Sequence, residues 1–167
     1  MVPSRAEETT TITTTPSALV QYNARIKAEE VASRTKEAIV IGADTAVYIG
    51  HKEIILKPKN LNEAKRKLKV LFSRPHWVYT GVCVIDSLTG KNLLSYEKTK
   101  VFMSPLTEEQ IGRYHQRVSP LDKAGGFDIE GLGSVFIHRI EGCYTNVIGL
   151  PMARLFRMLQ EMGVSVL

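Results

Sequence analysis

Four glycines, Gly125, Gly126, Gly131 and Gly133, crowd the stretch from Ser119 to Ser134 together with Asp122, Lys123, Asp128 and Glu130. A run so rich in glycine interrupts helix and strand alike, so the chain must turn here between ordered segments. Glycine lets the main chain approach a ligand closely, and the four charges exceed what a purely structural turn needs. Three more charged islands, Arg25-Ile-Lys-Ala28, Gly42-Ala-Asp-Thr45 and Leu56-Lys-Pro58, fall where regular elements begin, end or turn. Together the four read as one anion-handling site.

The 167 residues, 44% of them apolar, suffice for one core and point to a single domain over residues 1–167. No apolar run approaches the roughly 18 residues of a membrane span, and the N-terminus lacks the basic start and apolar stretch of a signal peptide. The expectation is a soluble, cytoplasmic protein without a membrane partner. Cys83 and Cys143 have neither CxxC spacing nor a nearby cluster of histidines, which supports neither a disulfide framework nor a zinc site. A net charge of +5 suits an anionic ligand. Much of it comes from Lys65, Arg66, Lys67 and Lys69 on one helix, which reads as a solvated face rather than a nucleic-acid footprint.

Along the chain, a polar, threonine-rich connection over residues 9–15 precedes a helix that Thr15 caps and Pro16 starts, running to about Arg34 with Lys27 inside it. Residues 38–42 are short, apolar and β-branched, as in a buried central strand, with Asp44 and Thr45 after its end. Residues 48–56 read as a hairpin turning near Gly50 and His51. Asn60 and Glu63 cap a second helix whose inner face is Leu61, Ala64, Leu68, Leu71 and Phe72. Residues 77–86 and 93–103 form a hairpin around Leu88-Thr-Gly90, and Thr107 with Gln110 caps a helix to about Arg117. A strand over residues 135–141 and a last helix opened by Pro151, carrying Met152, Leu155, Phe156 and Leu159, complete an α/β chain. His76 is read as a packing residue, His51, His115 and His138 as surface residues, and Trp77 and Tyr79 as core rather than a base-stacking platform.

The segments Val40-Ile-Gly-Ala-Asp-Thr45, Leu56-Lys-Pro58, His76-Trp-Val-Tyr-Thr-Gly81, Asp122-Lys-Ala-Gly125, Ile129-Glu-Gly131 and Gly149-Leu-Pro151 carry a resemblance to the Maf-like nucleotide pyrophosphatases, in the same order and over essentially the whole chain. The resemblance implies a mixed sheet flanked by helices, related to the inosine triphosphate pyrophosphatases. It implies hydrolysis of nucleoside triphosphates to the monophosphate and pyrophosphate, with a divalent metal, magnesium or manganese, and a homodimer. Asp44 matches the family's catalytic carboxylate, the acceptor of water's proton, and also a metal ligand. Lys27, Lys57 and Lys123 match phosphate-binding lysines, Thr45 and Glu130 match positions linked to base choice, and Glu8 matches an acidic metal ligand, with Glu7 as its competitor. These roles agree with what a triphosphate requires: cations to neutralise it, a metal to clamp it, and a carboxylate to deprotonate the nucleophile.

Two departures shape the expectation. The family's first strand and its Ser-x-Ser-Pro-Arg-Arg phosphate loop have no counterpart in the sequence, so the alternative is a truncated, catalytically weak homologue that binds nucleotides or a partner. Glu130 stands where the pyrimidine-preferring branch has glutamine, as in the branch that prefers 7-methyl-GTP, while Asp122-Lys-Ala-Gly125 resembles the pyrimidine branch. A carboxylate only accepts hydrogen bonds and an amide also donates. The balance leans slightly to dTTP and UTP.

Overall fold

The computed structural model describes residues 1–10, 15–50 and 53–167. Most of the threonine-rich connection, and His51 at the first hairpin turn, lie outside the described residues. The elements are α1 (Pro16–Ser33), β1 (Ile39–Ile49), β2 (Glu53–Ile55), α2 (Leu61–Ser73), β3 (His76–Asp86), β4 (Asn92–Met103), α3 (Glu108–Arg117), β5 (Ile137–Glu141), α4 (Tyr144–Ile148) and α5 (Met152–Glu161). The strands form a five-stranded sheet in the order β2-β1-β3-β4-β5. β1 pairs antiparallel with β2, Tyr48 opposite Ile54. β4 pairs antiparallel with β5, Val101 opposite Ile140, with an irregularity between Phe102 and Met103. Helices interspersed with an open sheet match the α/β class expected from the sequence.

Two compact units divide the chain, one of Met1–Thr45, Tyr79–Glu97 and Gly149–Leu167, the other of Ala46–Val78 and Lys98–Ile148. In the first unit, β3 is buried on both faces because its side chains alternate between two helices. Cys83 and Ile85 join Ala24, Ala28 and Val31 of α1, whereas Val82 and Val84 join Leu155 and Met158 of α5. α1 comes unusually close to the strands because small residues face it. Any methyl group on Gly81 would overlap the Val20 carbonyl, and one on Gly42 would lie 2.9 Å from the Ala28 Cβ. The helix starts as expected, with Thr15 Oγ1 accepting from Ala18 N and Pro16 in the first turn.

The second unit packs Leu68 and Leu71 of α2, Ile111 and Tyr114 of α3, Val47, Val78 and Val101 of the strands, and Phe127 and Phe136 of the glycine-rich segment into one core. Both helices carry the caps read from the sequence. Asn60 Oδ1 accepts from Glu63 N at 2.9 Å, and Thr107 and Gln110 form a reciprocal capping box. The buried ring of His76 meets Phe127 edge-on, and neither ring nitrogen has a hydrogen-bond partner among the described residues.

Several boundaries differ from the sequence reading. β1 runs on to Ile49, so Asp44 and Thr45 lie within the strand and not after it. Its first half is two-faced, with Ile39 and Ile41 exposed, rather than buried throughout. β5 begins at Ile137 because Leu132–Phe136 tightens into a 3-10 turn that drives Phe136 into the core. Leu61 and Met152 are exposed, and Met158 takes the inner position on α5. The short α4 has no clear periodic signal; it is anchored by buried Asn146, whose amide donates to the Val78 carbonyl and to Thr99 Oγ1, each at 3.0 Å.

Two predictions come from this packing. Gly81→Ala should cost about 1–3 kcal/mol through overpacking against α1, read as a lower urea midpoint with unchanged slope; an unchanged midpoint would contradict the close approach. Burial pushes the His76 imidazole from 6.5 down to about 4. Its neutral form therefore contributes stability above pH 6.5 that is lost as pH falls towards 4, up to about 3 kcal/mol. His76→Leu should lose less stability over that interval than the wild type, as measured by urea unfolding at a series of pH values.

Candidate active site

The close seat of α1 on the sheet sets the site. Gly42 faces the helix, and Asp44, two residues along the strand, points to the same face. Lys27 and Asn23, one helical turn apart on α1, both reach it. Lys27 Nζ lies 2.7 Å from Asp44 Oδ1 and donates to the Ala43 carbonyl at 3.3 Å. Asn23 Nδ2 donates to Asp44 Oδ2 at 3.1 Å. The Asp44 carboxylate, nearly buried at 9% exposure, thus has a separate donor on each oxygen. Strand is an unfavoured setting for aspartate, and these donors outweigh the local preference.

The N-terminal segment supplies the second carboxylate. Glu8 Oε1 lies 2.8 Å from Lys27 Nζ, so one ammonium is shared by Glu8 and Asp44; Glu8 and the neighbouring Glu7 are both exposed. Residues before it are tied to α1 by main-chain and side-chain bonds. Arg5 N donates to Glu30 Oε2 at 3.0 Å, and Arg34 Nη2 donates to the Pro3 carbonyl at 2.7 Å. Burial alone would lower the Lys27 pKa, but its hydrogen bonds to Asp44 and Glu8 and their negative charges prevail and raise it. Thr45, on the opposite side of the strand, shares a 2.9 Å hydrogen bond with Thr80 Oγ1 and lies 3.3 Å from the Gly149 carbonyl.

The remaining sequence-expected residues belong to the second unit. Lys57 and Glu130 are exposed, and the main chain at Leu56 and Lys57 is pinned by Lys67 Nζ. Lys123 pairs with Asp122 at 3.1 Å. That hydrogen bond chiefly holds the Asp122 carboxyl below its ordinary range, with the charge of Lys57 a smaller contributor. Asp128 serves the loop itself: its Oδ1 accepts from Gly133 N and the Tyr114 hydroxyl, while Asp128 N donates to that hydroxyl. Its charge is therefore used structurally, contrary to the reading that all four loop charges are spare.

Trp77 is half-buried, with the ammonium groups of Lys98 and Lys100 5.4 and 5.6 Å from its ring centre, whereas Tyr79 is buried and stacks on Tyr96. His138 is exposed and His115 half-buried. Asn23 and Thr80 were missed by sequence reasoning. The one signal for Asn23 is a polar amide four residues before Lys27, between Val20 and Ala24 on the apolar face of α1.

Lys27→Met should destabilise the first unit by about 1–3 kcal/mol at neutral pH, because it strips a nearly buried carboxylate of a charged donor. The raised folded pKa means that Lys27's contribution is complete below 10.5 and fades as pH climbs through the folded value. Urea unfolding of both proteins from pH 8 upward should show the gap narrowing in strong base; a constant gap would point to lost packing alone.

The family model of Maf-like proteins matches residues 1–162. A protein of Carboxydothermus hydrogenoformans named dTTP/UTP pyrophosphatase is 45% identical over 148 residues, 89% of this chain and 79% of that one. Proteins of the same name from Pelotomaculum thermopropionicum and Bacillus cereus are each 43% identical, covering 92% and 99% of this chain and 80% and 85% of their own. With the match running through both units, this chain belongs to the family of Maf-like proteins.

Proposed function

We propose that this protein is a nucleoside triphosphate pyrophosphatase that cleaves the α–β phosphoanhydride of dTTP and UTP, releasing the nucleoside monophosphate and pyrophosphate. The observation that carries the reading is the Asp44 carboxylate, nearly buried and held at both oxygens by Lys27 and Asn23, in a chain whose relatives are named dTTP/UTP pyrophosphatase.

In this mechanism Asp44 accepts the proton of the attacking water, with one of its oxygens hydrogen-bonded by the Lys27 ammonium. Lys27 brings positive charge beside Asp44, and Lys57 and Lys123 are the phosphate-binding lysines that the resemblance implies. Pyrophosphate departs with the bonding electrons of the α–β bridge. Glu8 and Asp44 already share one cation, the Lys27 ammonium, and magnesium is commonly held by one or two carboxylates with substrate oxygens completing its shell. The two residues therefore fit a divalent metal. Among the described residues no three His, Cys, Asp or Glu side chains form a metal set of their own. When bound, such an ion would neutralise phosphate charge and acidify water.

Base choice falls to Thr45 and Glu130 in this reading. Thr45 has its hydroxyl engaged with Thr80 and the Gly149 carbonyl, while Glu130 is exposed and offers acceptors only.

Asp44→Asn preserves the shape and removes the base, so turnover of UTP and dTTP should fall by about 10²–10⁴ in a protein that still folds, with a lower melting temperature because one of the two donors to Asp44 loses its acceptor. Full turnover in the variant would move the catalytic carboxylate elsewhere. Glu130→Gln should change the ratio of kcat/KM for UTP, dTTP and 7-methyl-GTP with little loss of stability; an unchanged ratio would remove Glu130 from base recognition.

A further inference from the structure

We propose that Asn23 is a positioning residue for Asp44 and for the segment that carries Glu8, an assignment that rests on Asp44 being the acceptor of water's proton. Asn23 is 3% exposed, in the middle of α1. Every hydrogen of its amide is used: Nδ2 donates to Asp44 Oδ2 at 3.1 Å and to the Thr9 carbonyl at 3.0 Å, while Oδ1 accepts from Thr9 N at 3.0 Å. Burying an amide is costly unless its partners are satisfied, and here the partners are the carboxylate itself and the main chain next to Glu8.

The geometry explains why Lys27 alone is insufficient. The terminal torsion of aspartate is broad, so a carboxylate held by one oxygen can swing about that contact. Lys27 takes Oδ1 at 2.7 Å and Asn23 takes Oδ2. Two donors from one helix face, four residues apart, hold opposite oxygens and set the plane of the carboxylate. The same amide grips both the N–H and the carbonyl of Thr9, the residue after Glu8, so one side chain fixes both carboxylates that share Lys27.

Asn23→Leu keeps the branched outline and Asn23→Asp the shape, and both remove the donors. The variants are compared with wild type and Asp44→Asn for kcat and KM on UTP with magnesium, for thermal melting, and, without nucleotide, for the rate of tryptic cleavage after Arg5. Either folded Asn23 variant should lose about 10–100-fold in kcat, the range seen when partners that orient a reacting ligand are removed, with KM little changed. Cleavage after Arg5 should quicken as residues 1–10 loosen. Wild-type kcat in a folded Asn23 variant overturns the proposal, and if cleavage has quickened, Asn23 is only a fastener. A rise in KM with intact kcat overturns it equally. An inactive wild type, or an unimpaired Asp44→Asn, overturns the functional reading and this assignment with it, whereas an active wild type and a crippled Asp44→Asn beside an unimpaired Asn23→Leu overturn this assignment alone.

Discussion

The Lys27 ammonium lies between two carboxylates, 2.7 Å from Asp44 and 2.8 Å from Glu8. Bringing Asp44 out of water is unfavourable by itself, and a partly buried ion pair repays that cost only with short contacts and further hydrogen bonds. Here the repayment comes from one helix. Asn23 and Lys27 meet Asp44 because α1 lies against the sheet at backbone distance, and that seat exists because Gly42, Gly81, Ala24 and Ala28 leave no side-chain bulk in the way. Small residues in the core thereby determine where a charged group can be held. The N-terminal segment depends on the same helix, through Asn23, Glu30, Lys27 and Arg34.

The second unit uses a different device. Its glycine-rich segment is bound into the core by Phe127 and Phe136 and braced internally by Asp128 with Tyr114 and Gly133. This leaves Lys123 and Glu130 carried on a shaped loop rather than a loose one. A preorganised loop loses less entropy when it meets a ligand.

Much of this was legible in the sequence, and for physical reasons. Caps such as Thr15, Asn60 and Thr107 act over three or four residues, so a local reading finds them, and the hairpin of β3 and β4 has both its alternation and its turn on view. Where long-range contacts decide, the reading fell short. Asp44 looks like the end of a strand until α1 supplies donors that keep the strand running through it. Phe136 looks like part of a strand until the core claims it. Asn23 shows nothing but a polar residue on an apolar face. Lys27, Asp44 and Glu8 were picked out by resemblance, whereas their shared geometry emerges only in three dimensions.

Which phosphoanhydride bond is broken decides the proposed activity. The most direct measurement is phosphorus NMR of UTP incubated with the purified protein and magnesium. Cleavage between the α and β phosphates predicts UMP and pyrophosphate appearing in equal amounts from the first time points. UDP and orthophosphate in their place would contradict it.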